Sequence, residues 1–397
     1  MSRHSNWLFC CIVLSLPFHS WGDEPAKAPP AWRDREPQLL EKLEVTLSEP
    51  VLVARSEGFL WFPTMHRLAS GELLAVMSNY HDDHVEKATS NLCWSGDGGL
   101  TWSPPQAGLY SNTSVRLATG EQLLLPYYLQ PRTEGGMGAE CQVIAKDKRA
   151  AKVIESGVTV SRWPRPDLSF APQFKKAGFV FNGNTVEIKG GHLATLYGYF
   201  KDTKRYSLVA AESADGVAWN VRSIVADEKC ELPGVEGPCE AATCRLKDGR
   251  LMCIFRLASN VPYGQTFSDD DGQTWSKPNN IAGPASVEPA LTLLDNGTLV
   301  LTGGRPGLWA WFNSAGDGKA WNQLDLMAHH NACRPEDPIT NPANGTSAYT
   351  EVVPLDDNSV LCIYDRLARG WNAIPKGEKE SNSVWVVRMT VRPRNAQ

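Results

Sequence analysis

The sequence predicts an all-β fold, a six-bladed β-propeller built from repeated hairpins. Three observations predict it. One hairpin pattern recurs six times along the 397 residues. A polar turn ending in Trp follows several of the copies. One unpaired strand pattern at each end of the chain is left over, and together they complete the last blade.

The copies are HRLASGELLAVMSNY (66–80), SVRLATGEQLLLPYY (114–128), TVEIKGGHLATLYGY (185–199), ATCRLKDGRLMCIFR (242–256), ALTLLDNGTLVLTGG (290–304) and EVVPLDDNSVLCIYD (351–365). Each has apolar alternation on both sides of a short turn, the pattern of a β-hairpin. The Asp-Gly, Asn-Gly and Gly-Gly pairs supply the positive φ that such turns need. Successive turns lie roughly fifty to seventy residues apart, room for the four strands and loops of one blade.

The second repeat reads SGDGGLTW (95–102), SADGVAW (213–219), SDDDGQTW (268–275) and SAGDGKAW (314–321). Its Asp accepts backbone N–H groups, its Gly permits the bend, and its Trp packs on the blade edge. These boxes sit between outer strands, so Asp97 and Asp270 read as structural. In an up-and-down blade the hairpin turns and the Trp turns share one face. A ligand site belongs on the other face, where inner strands begin and second strands end. After the sixth hairpin only SVWVVRMTV (383–391) remains. LEVTLSEPVLV (43–53) completes that blade and closes the ring, which removes exposed sheet edges. One propeller over residues 41–393 results.

Ahead of it, Arg3 and His4 precede an apolar stretch from Trp7 to Phe18, followed by small and polar residues. This has the length of a signal-peptide core and is too short to span a bilayer. Residues 1–22 are therefore expected to be a signal peptide, residues 23–40 a mobile linker, and the protein exported, periplasmic or extracellular. Eight cysteines remain after the leader. Export permits disulfides, with Cys230–Cys239 and Cys244–Cys253 as local candidates; buried free thiols are the alternative.

Hydrophobic residues make up 42% and charged residues 21% of the chain, as in a folded protein with a sizeable core. A net charge of −5 without a basic stripe argues against nucleic-acid binding. An anionic ligand would need locally placed arginines.

The hairpin turns serve as a coordinate system. The position nine before each turn Gly, or before Asn358, begins an inner strand: Phe62, Ser111, Phe181, Glu240, Glu288 and Tyr349. A buried Glu near a Tyr hydroxyl is a base–nucleophile pair; carboxylates lining a water-filled channel are the alternative. At second-strand ends lie Arg256, seven after Gly249, Arg305, eight after Gly297, and Arg366, eight after Asn358. Clustered arginines grip a carboxylate bidentately. The loop YHDDHVEK (80–87) opens on the same face. Its Asp82 and Asp83 offer a general acid; with His81 and His84 they offer a weak metal signal instead; a solvated loop is the third reading.

These residues resemble the sialidase (neuraminidase) superfamily, six-bladed propellers marked by Asp boxes, over about residues 45–393. CEAATCRLKDGRLMCIFR resembles the family stretch in which a Glu begins the inner strand and an Arg ends the next, giving Glu240 and Arg256. SAYTEVVPLDDNSVLCIYD resembles the nucleophile segment, giving Tyr349, with Asp365 as its closing acid. Arg305 resembles the next Arg of the carboxylate-binding triad, and Asp83 the acid/base Asp, with Asp82 beside it. One departure stands out. Where the family begins its first inner strand with an Arg-Ile-Pro motif, this chain has LWFPTMHRL, and Trp61 takes the place of the first triad Arg. Arg55, Arg67 and Arg366 are the candidates to compensate.

The resemblance implies a secreted retaining exo-α-sialidase-like glycoside hydrolase that needs no cofactor and no metal. Tyr349, Glu240 and Asp83 would be catalytic, and Arg256, Arg305, Asp365 and Trp61 would bind substrate. The partner would be a glycan or glycoconjugate ending in sialic acid or another acidic sugar. A glycosidase for a different sugar acid and a non-catalytic glycan-binding propeller are the alternatives.

Overall fold

The computed structural model describes residues 30–82, 88–132, 136–165, 178–371 and 382–394. The expected signal peptide, Asp83 and His84 lie outside these residues.

The described chain is all-β apart from one short helix, Leu326–Cys333. Trp61–Arg67, Leu73–Ser78, Thr89–Ser95 and Gln106–Leu109 form one antiparallel four-stranded sheet. Cys239–Arg245 through Asn279–Ala285 form a second, and Val287–Leu293 through Asn322–Asp325 a third. Between them in sequence, two more antiparallel units are fused edge to edge into a ten-stranded sheet, Ala151–Ser161 running parallel to Ala218–Ala226. The last sheet draws on both ends of the chain. Glu351–Asp356, Ser359–Arg366 and Asn382–Pro393 are joined by Leu43–Leu47 and Val51–Ser56, which both pair with Asn382–Pro393.

Second strands such as Leu73–Ser78, Leu251–Arg256 and Leu299–Gly304 are buried at every residue. A strand covered on both faces by neighbouring sheets gains burial from every side chain, so these read as nearly continuous apolar runs. Side-chain bonds tie consecutive units together near their inner strands. Ser114 Oγ meets His66 Nδ1 at 2.9 Å, Thr185 Oγ1 donates to the Ser114 carbonyl at 2.7 Å, and Asn184 Nδ2 to the Thr243 carbonyl at 2.6 Å. The Glu288 N–H donates to Glu240 Oε2 at 3.0 Å, Thr302 and Thr350 hydroxyls meet at 2.7 Å, and the Phe62 N–H donates to Asp365 Oδ2 at 3.1 Å.

The polar turns form as their chemistry dictates. Asp97 accepts from the Ser95 and Thr101 hydroxyls and the Thr101 N–H, and Trp102 Nε1 donates to the Gly99 carbonyl. Asp270 makes the same set with Ser268 and Thr274, and these bonds, Thr274's hydroxyl foremost, pull its carboxyl down to about 2.

Two expectations differ from the structure. The stretch expected as a mobile linker is pinned from Trp32 onward. Gln38–Leu40 pairs with Leu43–Leu47, and Arg388 binds both Asp34 oxygens while lying over Trp32. The eight cysteines are free thiols. Cys244 stands opposite Met252, and Cys253 opposite Thr243. The two cysteines are one residue out of register, so they face opposite sides of the sheet, and no bond can join them.

Candidate active site

Three of the six inner-strand starts share an unusual backbone. Phe62, Glu240 and Glu288 have φ of 46°, 28° and 34°. Each sits at a register shift, between Trp61 and Thr64, Cys239 and Ala241, and Val287 and Ala290. Positive φ is costly for a residue with a Cβ, and a bulge takes it out of the ladder and re-aims its side chain. Ala348, just before Tyr349, is also left-handed at 65°. Backbone strain of this kind concentrates at functional sites.

The re-aimed side chains converge. Tyr349 Oη donates to Glu240 Oε1 at 2.6 Å. Arg256 Nη1 donates to the same oxygen at 2.7 Å, while Arg256 Nη2 holds Glu236 at 2.7–2.8 Å. Glu240 Oε2 takes the Glu288 N–H. Burial alone would raise the Glu240 carboxyl. The Arg256 charge and the bonds from Arg256, Tyr349 and the Glu288 N–H together outweigh burial and hold it below its ordinary value. Glu288 lies beneath and behaves oppositely: burial and the Glu240 charge push its carboxyl well up. Its oxygens take the Asn182 amide at 3.0 and 3.1 Å and the Asn112 amide at 3.2 Å, acceptance that a protonated carboxyl still permits. Burial, and then the Glu240 charge, raise the Tyr349 phenol well above its usual value. The resting pair is therefore a carboxylate accepting a phenol proton.

Asn182 and Gly183 support this arrangement from the neighbouring unit. Asn182 Oδ1 accepts the Ala241 N–H at 2.9 Å, which fixes the strand one residue past Glu240. Gly183, at φ 82°, lies so close to the Ala241 carbonyl that a Cβ would collide with it.

A cavity of about 380 Å³ opens over the pair. Glu236, Glu240, Arg256, Arg305 and Tyr349 line it, with Asp82 at one side and aromatic walls from Tyr127, Tyr197, Tyr199, Tyr206 and Trp371. Arg305 lies over the Trp371 ring, 3.9 Å from its centre, and donates to the Ser347 carbonyl at 2.7 Å. Among the expected site residues, Tyr349, Glu240, Arg256 and Arg305 thus meet in one cavity. Asp83 lies outside the described residues; its neighbour Asp82 is at the cavity.

Two expected substrate contacts are not at the cavity. Asp365 is fully buried, and its oxygens accept from Thr346 Oγ1, the Ser347 N–H and hydroxyl, and the Phe62 N–H. It ties the segment around Tyr349 to the first inner strand and has no face left for a ligand. Trp61 is 1% exposed. Its Nε1 donates to the Tyr80 carbonyl, and its ring packs on Phe59, Phe62 and Trp371. It stands behind the wall that Phe62 presents edge-on to Tyr349, 4.7 Å between ring centres. The compensating arginines are also engaged elsewhere. Arg55 and Arg366 both bind Asp337, and Arg67 binds the Pro354 and Leu355 carbonyls.

Glu236, Trp371 and the four tyrosines were not anticipated. Tyr127 and Tyr197 lie seven residues after Gly120 and Gly190, the same count that locates Arg256. Glu236 and Trp371 sit in loops, where no repeat marks them.

No protein-family model and no curated protein sequence matches this chain. Solved structures do. A protein of unknown function from Dyadobacter fermentans superposes with a TM-score of 0.65 at 17% identity, covering 88% of this chain and 99% of its own. The NanB sialidase from Streptococcus pneumoniae gives 0.52 at 16%, covering 86% and 70%. The Hadza microbial sialidase Hz136 gives 0.56 at 14%, covering 82% and 65%. At such identities the likeness is one of fold. The chain has an all-β, sialidase-like fold.

Proposed function

We propose that this chain is a retaining glycoside hydrolase on a six-bladed propeller, working through a Tyr349–Glu240 pair. The observation that carries the reading is the 2.6 Å bond from the Tyr349 phenol to an ionised Glu240 inside a cavity of sugar size. Six antiparallel units whose inner strands are bonded in sequence, the last back to the first, favour the ring.

In the first step the Tyr349 oxygen attacks the anomeric carbon and its proton passes to Glu240. The bond to the leaving oxygen breaks, and an acid on the 80–87 loop, Asp82 or Asp83, protonates that oxygen. In the second, this carboxylate takes a proton from water, the water oxygen replaces Tyr349 on the sugar, and Glu240 returns the proton to the phenol. Sialidases are an established exception among glycosidases in using a Tyr nucleophile. Export of the protein, with residues 1–22 as leader, belongs to the same proposal.

The test is turnover of aryl glycosides by the wild type and by Tyr349→Phe. Loss of about a thousandfold or more in kcat on removing the phenol oxygen is expected. Turnover unaffected by that substitution would refute the pair's role.

A further inference from the structure

Within that reading, the cavity also carries information on the charge of the sugar. Most of what would hold a carboxylate on the anomeric carbon is engaged or missing. Each terminal nitrogen of Arg256 already serves a carboxylate of the protein, Nη1 that of Glu240 and Nη2 that of Glu236. Glu236 thus places a carboxylate of the protein's own on the guanidinium edge that a substrate carboxylate would use. At the first inner strand the wall is Phe62, backed by Trp61 and Trp371. Arg55, Arg67 and Arg366 are bound away from the cavity. Arg305 is left, and one of its nitrogens is committed to the Ser347 carbonyl.

Three carboxyl groups line the described cavity, Asp82, Glu236 and Glu240, against two arginines. A carboxylate entering a poorly hydrated site must find compensating charge, or it is repelled and left desolvated. Aromatic faces ask for nothing of the kind. They offer apolar area to the C–H faces of a sugar ring, and the tyrosine hydroxyls offer hydrogen bonds to its hydroxyls.

We infer that the preferred substrate is a neutral glycoside, without a carboxylate at the anomeric carbon, and that Glu236 excludes acidic sugars by occupying Arg256. The inference rests on the Tyr349–Glu240 reading and goes past it by assigning Glu236 a part in specificity. Glu236 touches Arg256 and is a specificity residue of the site.

The experiment compares kcat/KM on 4-nitrophenyl glycosides of neutral hexoses, 6-deoxyhexoses and N-acetylhexosamines with that on the aryl sialoside and aryl glucuronide. Wild type, Tyr349→Phe and Glu236→Gln are assayed in parallel. The expected result is at least tenfold preference for a neutral glycoside, loss of its turnover in Tyr349→Phe, and a narrowed neutral-to-acidic ratio in Glu236→Gln. Preference for the sialoside, abolished by Tyr349→Phe, would overturn the inference and leave the nucleophile pair standing. Neutral preference with a ratio unmoved by Glu236→Gln would overturn the role of Glu236. No turnover of either group would overturn the hydrolase reading and this inference with it.

Discussion

Glu240 Oε1 accepts two hydrogen bonds at once, from Tyr349 Oη at 2.6 Å and from Arg256 Nη1 at 2.7 Å. The arginine keeps the carboxylate ionised, and the carboxylate in turn aligns the phenol. Tyr349 can lose its proton only to the group that Arg256 stabilises.

Replacing Glu240 with Gln should therefore separate structure from chemistry. The amide retains the size and one acceptor, but cannot take the phenol proton. Turnover should fall by about a hundredfold or more while the fold persists. Glu240→Ala should also unfold more easily, by about 3 kcal/mol, because Arg256 then loses the buried acceptor that Gln retains and keeps only the partly exposed Glu236. Kinetics and thermal melting of the two variants check this; equal melting points would contradict the buried-pair account.

The pH dependence follows from the same group. The folded value of Glu240 lies below the ordinary 4.5 of a glutamate. The unfolded chain therefore binds the proton first. Glu240 contributes stability above pH 4.5 that is lost as pH falls through its folded value. The acid limb of kcat/KM that reports this base should accordingly lie below 4.5, and Glu240→Gln should remove the corresponding loss of stability in acid. An acid limb assigned to Glu240 well above 4.5 would show that Arg256 does not dominate its environment.

Asp365 should prove to be a stability residue. Asp365→Ala strands the Phe62 and Ser347 N–H groups and two hydroxyls in a dry interior, at a cost of about 3 kcal/mol. Asp365→Asn keeps one acceptor oxygen and should lose less. Chemical denaturation measures both. The loss in activity should track the fraction unfolded, with KM of the folded fraction unchanged, which a ligand contact would not allow.

Glu351 lines a second cavity, of about 310 Å³, with His66 and His192. Burial raises its carboxyl to about 7. Here the folded state binds the proton more tightly, so stability is fullest below pH 4.5 and declines as pH rises to about 7. Glu351→Gln should flatten that decline, by about 2 kcal/mol given partial access of water. Denaturation midpoints between pH 4.5 and 8 show the difference; parallel curves for wild type and variant would exclude it.

Much of this architecture was legible because it repeats. Counting from each hairpin turn located Tyr349, Glu240, Arg256 and Arg305 on one face, and the structure brings those four together. Identical counting from Gly120 and Gly190 reaches Tyr127 and Tyr197, strand ends without the positive charge that marks Arg256. What a periodic pattern does not encode was lost. Glu236 and Trp371 owe their positions to loop paths. The Cys244–Cys253 pairing failed by a single residue, since the Leu246–Arg250 turn sets Arg245 opposite Leu251 and fixes the partners as far as Ala241. Asp365 and Trp61 were placed near the substrate by their resemblance to family segments, which carries no information on the depth of a side chain.

The last sheet has a consequence in time. Its strand Asn382–Pro393 is flanked by Ser359–Arg366 on one side and by Leu43–Leu47 and Val51–Ser56 on the other. The N-terminal strands must wait for a partner made much later in the chain, and Tyr349 lies two residues before Glu351–Asp356, a strand of the same sheet. Domains generally fold as units, N-terminal parts first during synthesis. Here the unit next to Tyr349 cannot be finished until residues 382–393 have been made. A chain cut short before residue 382 keeps most of its hairpins but leaves Leu43–Leu47 as an open edge, so premature termination should yield an aggregation-prone product.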